Sequence, residues 1–264
     1  MLPRLIDDNE HFNALVKARY GYMLFNRNDR YIGQSIARYG EWSEGEMVVF
    51  RKLLQTGDCV VEAGANIGSH TLGLATLVGP KGIVHAYEPQ RLVFQTLNAN
   101  ISINSLSNVV THCCAVGAEH GAVNVPRLDP CAPANFGGLG IDVFGSGDQV
   151  QVVPLDEHID VRSIKLIKAD VEGMELEVIK GAAALITKHK PFLYLEADRD
   201  IIANELIAYI KNLEYRVMAH QPRLFSPNNY AGDSENIFDD IASNNIFCFH
   251  RSLKVEFPPS ATEY

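Results

Sequence analysis

From residue 59 onward the chain alternates short apolar runs with stretches of helical spacing. The runs 59–61, 83–87, 109–116, 164–169, 192–195, 215–219 and 245–250 have the length and composition of buried strands. Apolar residues recur at helical spacing over 71–78, 90–103, 172–186 and 200–213. Such alternation predicts an α/β architecture, a mostly parallel sheet with helices on both faces. Upstream, Phe12, Leu15, Val16, Arg19 and Tyr20 predict a helix over 9–25. Residues 31–39 fit a strand or a helical turn. Ser43 reads as an N-cap, with Glu46 completing a capping box for a helix over 44–54. The predicted organisation is an N-terminal helical cap (1–55), a sheet domain (56–253) and a loose tail (254–264).

Two stretches break the rhythm. Residues 117–150 are rich in Gly, Pro, Asn and Asp, with possible strands at 123–128 and 150–153. Residues 221–243 form a second polar loop. Long loops in a compact domain are often functional, and these are expected to shape an acceptor site.

Composition narrows the partners. Hydrophobic residues make up 47% of the chain, enough for one sizeable core. The net charge of -9 disfavours nucleic acid or an anionic membrane as the main partner. The five cysteines form no C-x-x-C, which predicts neither a disulfide framework nor a zinc site. Acids in the first ten residues, and no stretch of membrane-span length, make a reducing cytoplasm the expected location.

The chemistry concentrates where strands end. Glu62-Ala-Gly-Ala-Asn-Ile-Gly68 follows the first run and precedes a helix. Strand, glycine turn and helix make a cofactor crevice in an open α/β sheet. Gly64, Asn66 and Gly68 allow a tight turn that a ligand can approach. Glu62, Glu88 and Asp170 are each expected directly after a strand, in one crevice. Glu88 follows the turn at near the spacing that places an acid on a ribose diol. The turn lacks the G-x-G-x-x-G of dinucleotide binders, and no Walker lysine is present. A negative crevice suits S-adenosylmethionine, which carries a sulfonium and no phosphate.

The runs Glu62-Ala-Gly-Ala-Asn-Ile-Gly68, Ala86-Tyr-Glu-Pro89 and Ile167-Lys-Ala-Asp-Val-Glu-Gly173-Met-Glu-Leu-Glu resemble the FkbM family of S-adenosylmethionine-dependent methyltransferases. The resemblance runs from about residue 39 to 250. Glu62 stands where the family usually has Asp. The resemblance implies the class I methyltransferase (Rossmann-like) fold, a seven-stranded mostly parallel sheet with a reversed last strand. It also implies transfer to a hydroxyl on a sugar, glycan or small natural product. The expected cofactor residues are Glu62, Gly64, Ala65, Asn66, Gly68 and Glu88. Pro89, Ala115 and Asp170 extend the set, with Ser43 and Glu46 over the amino-acid end.

An aliphatic hydroxyl attacks well only when its proton is taken. Asp170, Glu172 and Glu196 are the expected catalytic acids: Asp170, kept ionised and hence a weak base by the following helix N-terminus, is expected to position the cofactor or acceptor, and Glu172 or Glu196 to help with the proton. His70, Asn135, Phe136 and His220 are expected near the acceptor. Asp170 with Glu172 could hold magnesium beside substrate oxygens, but no metal is expected. Methylation of nitrogen or a carboxylate is the alternative within enzymes. A catalytically silent binding module is the alternative outside them.

Overall fold

The structure is a computed structural model that describes residues 4–6, 11–139, 147–198, 200–255 and 262–264. The N-terminal part holds strands β1 (Arg4–Ile6), β2 (Asn13–Ala18) and β3 (Gly21–Asn26), then helices α1 (Ile32–Tyr39) and α2 (Glu44–Leu53). The central part begins with β4 (Cys59–Ala63), α3 (Thr71–Val78), β5 (Ile83–Tyr87), α4 (Arg91–Ile103) and β6 (Val109–His112). Next come β7 (Ala115–Val116), β8 (Gly121–Val125), β9 (Asp148–Val153) and the single turn α5 (Leu155–His158). The remainder is β10 (Leu166–Ala169), α6 (Glu175–Lys180), α7 (Ala183–His189), β11 (Phe192–Glu196), α8 (Asp200–Asn212), β12 (Tyr215–His220) and β13 (Asn245–His250).

Seven strands form the main sheet in the order β12-β13-β11-β10-β4-β5-β6. All run parallel except β13, which is antiparallel to β11 and β12. This is the doubly wound class I methyltransferase arrangement with its last strand reversed. Every residue of β4 and β10 is buried. Alternate residues feed two cores. Val61, Ala63, Ile167 and Ala169 enter one, and Val60 and Leu166 enter the other with Met47 and Phe50 of α2 and Leu74 of α3. Strands covered on both faces read as near-continuous apolar runs, here interrupted by Glu62 in β4 and Lys168 in β10.

The helix expected over 9–25 is instead the β2–β3 hairpin, so the N-terminal cap is part sheet and part helix. Ala14, Leu15 and Val16 are all buried, and this removes the alternation that marks a half-exposed strand. Residues 9 and 10 lie outside the described residues. The free edge of β3 is completed by side chains of α4. Asn100 accepts from the Leu24 N–H (2.6 Å) and donates to its carbonyl (2.9 Å). Asn104 does the same with Tyr22, at 2.7 Å each way.

Three further expectations change. The run 109–116 divides, because β7 leaves the main sheet to pair with β9 in a small second sheet. The helix over 172–186 starts late and divides into α6 and α7. Glu172 and Gly173 have φ of 57° and 101°, which no helix accommodates. At Gly181, between the two helices, a Cβ would lie 2.0 Å from the Gly117 carbonyl oxygen. The tail is not loose at its end: the Ala219 N–H donates to the Thr262 carbonyl (2.8 Å), and Tyr264 N–H to that of Val217 (3.0 Å). Residues 140–146 of the insertion and 256–261 of the tail lie outside the described residues.

Candidate active site

The carboxyl ends of β4, β5, β10 and β11 open on a cavity of about 340 Å³, within the usual range for ligand sites. Its floor follows from strand register. Glu62 and Lys168 are partners across β4 and β10, so their side chains leave the sheet on the same face. Lys168 Nζ lies 4.0 Å from Glu62 and 3.6 Å from Asp170. Thr71, at the start of α3, donates to Glu62 at 2.6 Å. Burial alone would depress the Lys168 ammonium. Asp170, Glu62 and Glu46 outweigh it and raise its pKa above the ordinary lysine value. Glu62 is pushed up to about 7 by burial, with Lys168 and Thr71 opposing.

The glycine turn forms one wall. Gly64, Asn66 and Gly68 have φ of 79°, 52° and 87°. The N–H groups of Gly64 and Ala65 both donate to the Tyr87 carbonyl, so the turn is tied to the end of β5. A Cβ on Gly64 would sit 1.9 Å from the Asp170 carbonyl oxygen. Directly after β5, Glu88 accepts from the backbone N–H of Asn66 (3.0 Å) and of Gln90 (2.8 Å). Burial raises it to about 7.

The β10–β11 side is acidic. Asp170, Glu172 and Glu196 bring one carboxylate oxygen each within 4.8 Å of one another. Asp198 lines the cavity beside them. Burial, then repulsion from Asp170, Glu172 and Asp198, pushes Glu196 up to about 10. The cluster therefore retains a proton at neutral pH. The α6 N-terminus lies five residues beyond Asp170, not beside it, and the neighbouring cation is Lys168.

α2 and the segment before it close the other side. Glu46 lines the cavity, and burial raises its pKa. Ser43 does not cap the helix as expected. It has φ of 41°, and its hydroxyl donates to the Glu46 carboxylate at 2.9 Å. The Ser43 backbone carbonyl bonds the ring of His70. His70 is 2% exposed, lines the cavity and has no partner at Nε2 among the described residues. Burial, reinforced by Lys168, lowers it to about 3, so the ring is neutral.

Glu62, Gly64, Asn66, Glu88, Asp170 and Glu46 thus meet in the cavity, as do Glu172, Glu196, His70 and Asn135. Seven expected residues do not line it; one is Ser43, which stands behind Glu46. Ala65 is packed beneath the turn with Ala86 and Leu97. Gly68 bends the turn but faces Leu97 and Leu72. Pro89 follows Glu88, half-buried. Ala115 sits in β7, paired with Val152 in the second sheet. Phe136 packs in the core of the N-terminal part, while its neighbours Asn135 and Gly137 reach the cavity. His220 turns to the Tyr194 hydroxyl at 2.7 Å. Lys168, Tyr31, Trp42, Asp198 and Asn245 line the cavity and were not anticipated. Lys168 had a signal: a lysine inside a four-residue buried strand needs a partner.

A family model described as the methyltransferase FkbM domain matches residues 62–217, from the glycine turn through β12. The chain belongs to the FkbM methyltransferase family. It is 30% identical over 205 residues to the 31-O-demethyl-FK506 methyltransferase FkbM of Streptomyces tacrolimicus, covering 66% of this chain and 78% of that one. It is 29% identical over 143 residues to the hexuronic acid methyltransferase AglP of Haloferax volcanii, covering 52% and 56%. The chain spans 56% to 78% of the length of the curated relatives it matches. A solved SAM-dependent O-methyltransferase of Thermotoga maritima has the same fold: TM-score 0.52, 13% identity, covering 92% of this chain and 79% of that one.

S-adenosylmethionine is the cofactor of this fold, and the FkbM-family residues present here fit it. Glu88 presents a buried carboxylate beside the glycine turn, suited to a ribose diol. The buried acids Glu46 and Glu62 suit a cationic ligand. Among the described residues no helix is long and apolar enough to cross a membrane.

Proposed function

We propose that the protein transfers a methyl group from S-adenosylmethionine to a hydroxyl of a sugar, glycan or small natural product. The observation that carries this reading is one cavity with two walls. The β4–β5 side has a glycine turn and ribose-type acid; the β10–β11 side has a carboxylate cluster.

Bound there, S-adenosylmethionine provides an electrophilic methyl on a positively charged sulfur. The protein's part is orientation, which can lower a barrier by ~7–11 kcal/mol, and acceptance of the hydroxyl proton. Glu88 and the turn would hold the nucleoside, and Glu46, with Ser43 behind it, the amino-acid end. Asp170 and Glu172, beside Glu196, take the proton from the acceptor oxygen as its bond to carbon forms. Asn135 and Asn245 offer amide groups to acceptor hydroxyls. The sugar reading is supported by the hexuronic acid methyltransferase among the relatives.

The test is calorimetry with S-adenosylhomocysteine, followed by labelled methyl transfer to fractionated extract and analysis of the product by nuclear magnetic resonance. A methyl ether supports the proposal. A methylated amine or ester would redirect it, and absence of cofactor binding would leave a silent scaffold.

A further inference from the structure

We infer that Asn245 positions the acceptor, receiving at its side-chain oxygen a hydroxyl next to the one that is methylated, and that Tyr194 and His220 hold it in that orientation. This rests on the proposed transfer to a hydroxyl and deepens it: the acceptor is a polyol with a free hydroxyl adjacent to its target.

Strand register places the group. β13 lies between β11 and β12. Asn245 opens it, paired with Glu196 on one side and with His220 on the other. Residues directly opposite one another share a face of the sheet, so Glu196, Asn245 and His220 form one row across the strand ends. Two residues back along β11, Tyr194 leaves the sheet on the same face. Its hydroxyl accepts from Asn245 Nδ2 at 3.1 Å and meets His220 Nδ1 at 2.7 Å. The ring is 1% exposed and packs edge-on against Phe50 at 4.9 Å, which holds the hydroxyl in place.

A tyrosine hydroxyl has one proton to give. Accepting from Asn245, Tyr194 gives that proton to His220 Nδ1, which must then be a bare nitrogen. Burial lowers the His220 pKa against the pull of Glu46 on α2, and the neutral ring suits this direction. Burial also keeps the Tyr194 hydroxyl protonated. The chain of bonds fixes the amide: its nitrogen is turned to Tyr194 and its oxygen is left to accept. Asn245 lines the cavity, and among the described residues its oxygen takes no hydrogen bond. Neighbouring strands stand about 4.8 Å apart. An acceptor whose target hydroxyl meets the carboxylates beside Glu196 can therefore set its next hydroxyl on Asn245. A site built to bond a hydroxyl discriminates against an analogue that lacks it.

The experiment has two arms. Nitrogen-15 nuclear magnetic resonance of the full chain labelled at histidine, with the signal assigned from His220→Gln, reads the direction of the bonds. At neutral pH His220 is expected to be neutral with its proton on Nε2. Labelled methyl transfer to methyl glucopyranoside and its monodeoxy derivatives reads their use. In the wild type, loss of a hydroxyl next to the methylated one is expected to raise KM roughly tenfold or more, with a much smaller change in kcat. In Asn245→Ala that penalty should disappear, because its partner is gone. In Tyr194→Phe it should shrink, because the amide is free to turn. A proton on His220 Nδ1 at neutral pH, no penalty in the wild type, a penalty that survives in Asn245→Ala, or no methylation of these sugars by protein that binds S-adenosylhomocysteine would overturn the inference and leave the methyltransferase reading standing. Failure of S-adenosylhomocysteine itself to bind would instead overturn that reading.

Discussion

The ammonium of Lys168 and the carboxylate of Glu62 meet at 4.0 Å inside the main sheet, at 2% and 1% side-chain exposure. At that burial each depends on the other and on Asp170 and Thr71. Removing one partner of a buried pair leaves the other uncompensated, at a cost of about 3–5 kcal/mol. Lys168→Met is expected to lose about that much stability at roughly pH 8 and less at roughly pH 5, where Glu62 takes a proton. Urea unfolding at the two pH values checks this. An equal loss at both would assign the effect to packing.

Glu88 holds the glycine turn and faces the cavity with the same carboxylate. In Glu88→Gln one amide oxygen must replace two, and its NH₂ meets a backbone N–H of Asn66 or Gln90. A hydrogen bond to a charged group contributes about 1.5–3 kcal/mol. The dissociation constant for S-adenosylhomocysteine is therefore expected to rise by roughly tenfold to a hundredfold. Calorimetry reads it directly, and an unchanged constant would remove Glu88 from the cofactor site.

Glu196 ties stability to pH. Its folded pKa, about 10, lies above that of an unfolded glutamate, so the folded state binds the proton more tightly. The resulting stability is fully present below the unfolded pKa and is lost as pH rises toward about 10. The wild-type protein is expected to lose stability between neutral and alkaline pH through this group. Glu196→Gln, which cannot ionise, is expected to flatten that part of the curve. Parallel curves for the two proteins would show that Glu196 does not carry the proton.

Gly64 sits at φ 79°, and a Cβ there would meet the Asp170 carbonyl oxygen at 1.9 Å. Left-handed strain alone costs about 1–3 kcal/mol for a non-glycine residue, and here the obstruction is backbone. Gly64→Ala is expected to lower the melting temperature sharply and to abolish cofactor binding. Gly121→Ala, with open space around it, is expected to change neither. Thermal unfolding of both variants tests the contrast.

How much was legible in the chain follows from burial and charge. β5 and β13 matched their runs residue for residue, because apolar side chains dominate both, with His85 inside β5 and Asn245 and His250 at the ends of β13. The acids at strand ends were legible for the same reason: each interrupts such a run. Glu62 differs in detail, lying inside β4 instead of after it. The hairpin was not legible, since full burial of Ala14 to Val16 erased its period. The break after Glu172 and the departure of β7 depend on backbone conformation and distant contacts, which side-chain pattern does not encode. Phe136 was expected near the acceptor from its place in the insertion and His220 from its place after a strand, whereas Phe136 packs with the N-terminal core and His220 against Tyr194.

Asn100 joins that hairpin to the cofactor turn. Fully buried, it accepts from Leu24 N–H and donates to the carbonyls of Leu24 (2.9 Å) and Ile67 (2.8 Å). Asn100→Leu keeps the volume close but leaves three backbone groups without this partner. Each buried polar group so stranded costs about 1–3 kcal/mol. The variant is expected to lose several kcal/mol, and its effect should reach both ends of the link. Amide hydrogen exchange should quicken at Leu24 and its neighbours in β3, and cofactor affinity should fall as the Ile67 segment loosens. Asn104→Leu is the comparison, because Asn104 bonds Tyr22 and its own helix but not the turn. It is expected to loosen the hairpin while leaving cofactor affinity within about twofold, well under the roughly 1.4 kcal/mol of a tenfold change. If both variants weaken cofactor binding equally, the hairpin as a whole, and not the Asn100 bond to Ile67, sets the shape of the turn.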